Sequence, residues 1–177
     1  PIASLLPSLV DDLARLRAIA RSEAPVLLVG EGGVGRSALA SSVHETSARE
    51  GEFITVHCGA LAPSMEHAEL LGVATGAPSS VGDPREGVLA RAHRGTLFLD
   101  EVTDLSPAAQ AALLGALRAR AVRPVGAHDA SPLDLRVIAS SRHDLDTVTQ
   151  SALRPELLAM LRGFSVRVPP LRSRRED

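Results

Sequence analysis

Eight residues, Gly30-Glu31-Gly32-Gly33-Val34-Gly35-Arg36-Ser37, join the apolar run Pro25 to Val29 to a helix-forming stretch from Arg36 to about Arg49. A strand that ends in closely spaced glycines and leads at once into a helix must turn sharply and lay that helix back across a sheet. The rest of the chain repeats this pattern. Short runs rich in β-branched and apolar residues recur at 53–56, 96–99, 135–139 and 164–168. Helical patterns lie between them, the clearest from Pro107 to Arg120 with Ser106 as its cap. A first helix is expected from Ser8 to about Arg21, with Leu9, Leu13, Leu16 and Ile19 on one face. Strands alternating with helices predict an α/β fold, a three-layer αβα sandwich on a parallel five-stranded sheet covered on both faces. Such sheets bind ligands beyond the carboxyl ends of their strands. The Gly-, Pro- and Ser-rich stretch Gly72 to Pro84 is expected to be an exposed loop.

With 177 residues, 45% of them hydrophobic, the chain can bury the core of one domain and hardly of two. A charged fraction of 23% beside that apolar content excludes a disordered or collagen-like chain. The apolar runs are too short to span a bilayer and no leader pattern opens the sequence, so a cytoplasmic location without membrane attachment is expected. A lone cysteine, Cys58, fits a reducing compartment. A net charge of -2 provides no field for a polyanion, so DNA is expected to be met only through domains outside this segment. All 19 basic residues are Arg, and Lys, Asn, Tyr and Trp are absent. Drift in a G/C-rich genome accounts for any single missing Lys or Asn. The first residue is Pro rather than Met, so the chain is expected to be a piece of a longer protein.

The octapeptide fits the phosphate-loop pattern G-x-x-x-x-G-K-[ST] except that Arg36 stands in the Lys position. Backbone N–H groups of Gly30, Glu31, Gly32, Gly33, Val34 and Gly35 would curl around β- and γ-phosphates, with the positive end of the next helix behind them. Arg36 would supply charge, and Ser37 would ligate magnesium. A Gly-rich turn with no ligand is the alternative for a bare glycine cluster. A second motif weighs against it: Thr96-Leu97-Phe98-Leu99-Asp100-Glu101 is an apolar strand that ends in two carboxylates, a Walker B pattern. Asp100 is placed for the magnesium shell and Glu101 for polarising a water against the γ-phosphate. The six His residues form no short-range metal pattern.

Together with Phe53 to Leu61, Glu69-Leu70-Leu71-Gly72, Arg94-Gly95 and Val168-Pro169-Pro170-Leu171-Arg172, these motifs resemble the AAA+ ATPase module of sigma-54-dependent bacterial transcription activators, nearly end to end. The resemblance implies a P-loop NTPase α/β subdomain spanning 1–177, with an N-terminal helical segment at 1–24, a P-loop core at 25–177 and the helical lid outside the segment. It also implies ATP or ADP with Mg2+, bound between subunits of a self-associated ring, and RNA polymerase or its sigma factor as partner.

Five positions depart from the family pattern, and all carry work in it. Arg36 replaces the loop Lys, and a planar fork does not fill the role of a compact ammonium. His57 stands for the Asn that restrains the Walker B Glu. Gly76 to Val81 replaces the loop that engages the sigma factor, with Pro78 at its aromatic tip and Ser80 for its second Gly. Arg142 aligns with the first-sensor Asn that reads the γ-phosphate. Arg154 matches the first arginine-finger position while Met160 takes the second. Drift does not explain Pro78 or Met160. The expected function is therefore an ATP- or ADP-binding AAA+ module with impaired hydrolysis and a lost sigma-54 contact loop. The alternative is a pseudo-ATPase module for oligomerisation or signal relay that binds no nucleotide. An ordinary activator is opposed by Pro78.

Overall fold

The computed structural model describes residues 7–78, 82–143 and 153–173. Its strands are β1 (Val26–Val29), β2 (Phe53–His57), β3 (Gly72–Val73), β4 (Arg85–Glu86), β5 (Thr96–Asp100), β6 (Ala121–Val122), β7 (Ser131–Pro132), β8 (Arg136–Ser141) and β9 (Phe164–Arg167). The helices are α1 (Pro7–Ala20), α2 (Arg36–Thr46), α3 (Glu66–Leu71), α4 (Val88–Arg91), α5 (Pro107–Ala119) and α6 (Pro155–Leu161). Five strands form one parallel sheet in the order β2-β5-β8-β1-β9. The predicted strands are these five, each displaced by at most two residues.

Why the sheet reads as nearly continuous apolar runs follows from its two covers. On one face Leu27, Ile54, Val56, Leu97, Leu99, Val137 and Ala139 pack with Leu70, Leu89, Leu113 and Leu157 of α3, α4, α5 and α6. On the other, Val26, Leu28, Phe98, Ile138 and Val166 pack with Leu13 and Leu16 of α1 and Leu39 and Val43 of α2. Successive residues of the inner strands β5, β8 and β1 therefore enter opposite cores, while the edge strands β2 and β9 leave Thr55, Ser165 and Arg167 exposed.

Ser106 caps α5 as expected, accepting the N–H of Ala109 at 3.2 Å, and Arg120 ends that helix with φ 47. Two differences from expectation are local. Helix α2 stops at Thr46 rather than near Arg49, because Ser47 turns extended (φ -73, ψ 163) and its hydroxyl donates to the carbonyl of His44. The stretch from Gly72 is not loop throughout: Gly72 and Val73 are buried and pair antiparallel with Glu86 and Arg85. Residues 79–81, within the expected contact loop 76–81, lie outside the described residues.

One buried cation ties α1 to the sheet. Arg136, 1% exposed, donates from Nε to the carbonyl of Ala24 at 3.2 Å and from Nη2 to that of Ile19 at 3.1 Å, and Nη1 bonds the carbonyl of Ala20. The last carbonyls of a helix have no partner within it, and a guanidinium there satisfies them while meeting the negative end of the dipole. Burial pushes the pKa of Arg136 down.

Candidate functional site

Beyond the carboxyl end of β1 the chain enters the Gly30–Ser37 loop and then α2. Gly33 and Gly35 hold φ 79 and φ 92, left-handed values that side chains with a Cβ disfavour. A Cβ on Gly32, Gly33 or Gly35 would meet nothing within 4 Å, so these three positions border open space. Gly30 is different: a Cβ there would stand 2.7 Å from the carbonyl oxygen of Val168, so glycine lets the loop pass close to the chain leaving β9. The N-cap of α2 is Gly35, without a side-chain cap bond, which leaves the first-turn amides facing outward. Ser37 is exposed. Glu31, at the outer lip, accepts two bonds from Arg172 at 2.7 and 2.8 Å, and these hold its carboxyl below the usual range.

Asp100 ends β5, two strands away from β1 in the sheet, and it is reached across β8. Arg36 makes the connection. Its residue is only 7% exposed; Nη2 bonds Glu101 Oε1 and lies 3.7 Å from Asp100 Oδ1. Nη1 of the same head is buried with no hydrogen-bond partner. Ser140, fully buried in β8, donates its hydroxyl to Asp100 Oδ1 at 2.6 Å and accepts the N–H of Glu101 at 3.1 Å. That bond helps hold Glu101 at φ 57, ψ 59, a left-handed conformation rare for a residue with a side chain.

The remaining predicted residues fall around this pair. His57, paired in register with Asp100, places Nδ1 3.1 Å from Asp100 Oδ2; the structure sets it on the aspartate rather than on the glutamate. Arg142 donates its main-chain N–H to Glu101 Oε2 at 2.9 Å, while its guanidinium takes Asp104 with two bonds at 3.0 and 3.1 Å. Arg154 sits at the start of α6, its N–H on Gln110 Oε1 at 2.8 Å and its Nε on the carbonyl of Pro107 at 3.3 Å. Met160 packs against the core on the α5 face. Beneath the site Cys58 is 1% exposed, and burial, reinforced by Asp100, Asp104 and Glu66, pushes its thiol up to about 12.

A divalent ion at Ser37 and Asp100 needs carboxylate oxygens open to it. Here Asp100 Oδ1 and Oδ2 face Ser140 and His57, and Glu101 Oε1 and Oε2 face Arg36 and the amide of Arg142. With a guanidinium already against both acids, the donor set does not fit a second, doubly charged cation while Arg36 keeps this position.

The sequence reading missed Ser140, Asp104 and the Glu31–Arg172 clasp. Ser140 carried a signal, one of two consecutive serines that end a buried central strand; the other two pairings link distant segments and carried none.

Comparison with known proteins places this geometry among relatives. The family model described as "Sigma-54 interaction domain" matches residues 4–167. The phenol regulator MopR of Acinetobacter guillouiae is 42% identical over 164 residues, 92% of this chain and 29% of MopR. The transcriptional regulatory protein ZraR of Escherichia coli is 39% identical over 173 residues, 97% of this chain and 39% of ZraR. Among solved structures, NtrX of Brucella abortus in complex with ATP superposes with TM-score 0.87 at 27% identity, covering 100% of this chain and 38% of NtrX. The chain thus spans well under half the length of these relatives. Among the described residues, no helix is long and apolar enough to cross a membrane.

Proposed function

Because the chain belongs to the sigma-54 interaction domain family, a group of P-loop NTPase folds, we propose that it is the nucleotide-binding module of a bacterial transcription regulator. It holds ATP or ADP on Gly30–Ser37, hydrolyses slowly if at all, and lacks a working sigma-54 contact loop. The observation that carries this reading is the loop itself: curled, open, glycine-formed, and joined through Arg36 to the acidic pair at the end of β5. Outward amides and the positive end of α2 suit an oligophosphate, and NtrX, a structural relative, has been solved with ATP.

Slow hydrolysis is supported by three features. Glu101 must accept a proton from water to act as a base, yet both of its oxygens already accept hydrogen bonds. The Arg142 guanidinium is held by Asp104, so reading a γ-phosphate requires leaving two bonds. Met160 offers no charge to a neighbouring subunit's nucleotide, which leaves Arg154 alone for that role in a ring. An arginine acting in trans is worth roughly 10³–10⁵ in rate in related phosphoryl transfer. Magnesium at Ser37 and Asp100 would require Arg36 to withdraw from the acids.

Loss of the sigma-54 contact rests on Pro78, which is exposed and stands where the family pattern has its aromatic tip. The second reading, a relay or oligomerisation module without nucleotide, draws on the same Arg36 pair, which satisfies the acids with protein alone. Calorimetric titration with ATP separates the two: binding supports the module, and no heat at millimolar ATP supports the relay. Open-complex formation with sigma-54 polymerase by the full-length protein would refute the lost contact.

A further inference from the structure

We infer that Arg36 takes the place of the divalent ion: a tethered cation that bridges the acidic pair and the phosphates of a nucleoside di- or triphosphate, so that this module binds its nucleotide without magnesium. The inference rests on the nucleotide reading above and names the counter-ion that reading needs.

Two halves of one side chain carry it. Nη2 is committed, bonded to Glu101 and within 3.7 Å of Asp100. Nη1, on the same rigid plane, is buried and has no acceptor. A buried guanidinium N–H without a partner costs free energy, because water is lost and nothing replaces it; among the described residues Arg49 Nε and Arg85 Nε and Nη2 are others, but Arg36 Nη1 alone belongs to a head that bonds the acidic pair. Arg36 directly follows Gly35 at the start of α2, and its head reaches the acids at the end of β5. The acceptor that Nη1 lacks is of the kind the cradle is shaped for, since a guanidinium matches phosphate oxygens in plane and charge.

A metal ion in such a site touches phosphate on one side and carboxylate on the other, and the fork of Arg36 reproduces both contacts. Its two nitrogens are far enough apart to serve carboxylate and phosphate at once. An ammonium is a point charge and leaves more of the carboxylates exposed to an ion. The acids are otherwise complete: Ser140, His57 and the Arg142 amide take their remaining oxygens. A magnesium ion entering here would meet a fixed positive charge and carboxylate oxygens that each already accept one hydrogen bond.

The test titrates ATP by calorimetry into the wild-type chain and Arg36→Lys, each with millimolar magnesium and with excess EDTA. The wild type is expected to keep its Kd within about threefold between the two buffers, and Arg36→Lys to gain about tenfold or more on adding magnesium. A wild type strengthened about tenfold by magnesium, or an Arg36→Lys protein with the same response as wild type, overturns the inference. A second arm needs no nucleotide: magnesium should leave the thermal midpoint of the wild type unmoved and raise that of Arg36→Gln, whose acids have lost their cation. No rise in Arg36→Gln refutes exclusion of the ion by Arg36. If neither protein takes ATP in either buffer, the nucleotide reading itself falls, while the thermal arm still decides whether Arg36 keeps magnesium out.

Discussion

Raising the pH from 8 to 11 should destabilise this fold through a single thiol. Cys58 sits beneath the acidic pair, 1% exposed, and its pKa rises from 9.0 to about 12, first through burial and then through Asp100, Asp104 and Glu66. The folded protein thus holds the thiol proton to a higher pH than the unfolded chain does. Stability is whole below pH 9, where both states are protonated, and falls as the pH climbs towards 12, because the unfolded chain ionises first. Linkage over that interval gives a loss of about 1.5 kcal/mol at pH 10 and about 3 kcal/mol at pH 11, approaching about 4 kcal/mol at the limit. The composition makes the measurement clean: with no Lys and no Tyr, Cys58 is the one side chain whose ordinary pKa lies in that window. Urea unfolding followed by far-UV circular dichroism, with reductant present, reads the stability, because no Trp or Tyr is available to fluorescence. Cys58→Ala is the control: it is less stable than the wild type at pH 8, but its stability should not slope between pH 8 and 11. A wild-type loss below about 1 kcal/mol at pH 11, or an equal slope in Cys58→Ala, would refute the reasoning.

Two further outcomes follow from buried hydrogen bonds. Ser140→Ala removes the hydroxyl that serves both Asp100 and the Glu101 amide, and should lower stability by about 2 kcal/mol, or about 4–8 °C in Tm for a chain of this size. An unchanged midpoint would show that another donor reaches the carboxylate. Arg136→Met keeps an aliphatic stem but strips the donors from the carbonyls of Ile19, Ala20 and Ala24, and should cost about 3 kcal/mol by urea unfolding. A loss under about 1 kcal/mol would mean that the burial of the charge cancels its bonds.

Element type was legible wherever a local pattern coincided with burial. The run Thr96 to Leu99 is buried at every position because both faces of β5 are covered, and Pro107 after Ser106 starts a helix from local chemistry alone. The short paired strands were not legible: Gly72 and Val73 resemble any Gly-rich turn, and what makes them a strand is Arg85-Glu86, which loop closure brings back from beyond the loop tip. The end of α2 was misplaced for a related reason, since Ser47 closes it through a side-chain bond that no periodicity records.

At the site the division is sharper. The amino-acid order alone determined the open glycine curl, the two acids at a strand end and the presence of a cation at position 36, because backbone freedom, strand polarity and charge are properties of residues and their neighbours in sequence. Where the Arg36 cation spends its charge was decided only in three dimensions. Glu101 is 65 positions away, and β8 lies between β5, which leads into Glu101, and β1, which leads into the Arg36 loop, so packing of the sheet sets the distance while Ser140 holds the Asp100 carboxylate and the Glu101 amide. The same holds for the Arg142 guanidinium, turned to Asp104 by a 3_10 turn after β5 that brings the acid within 3.0 Å. Charge is inherited from the chain, but its partner is chosen by the fold.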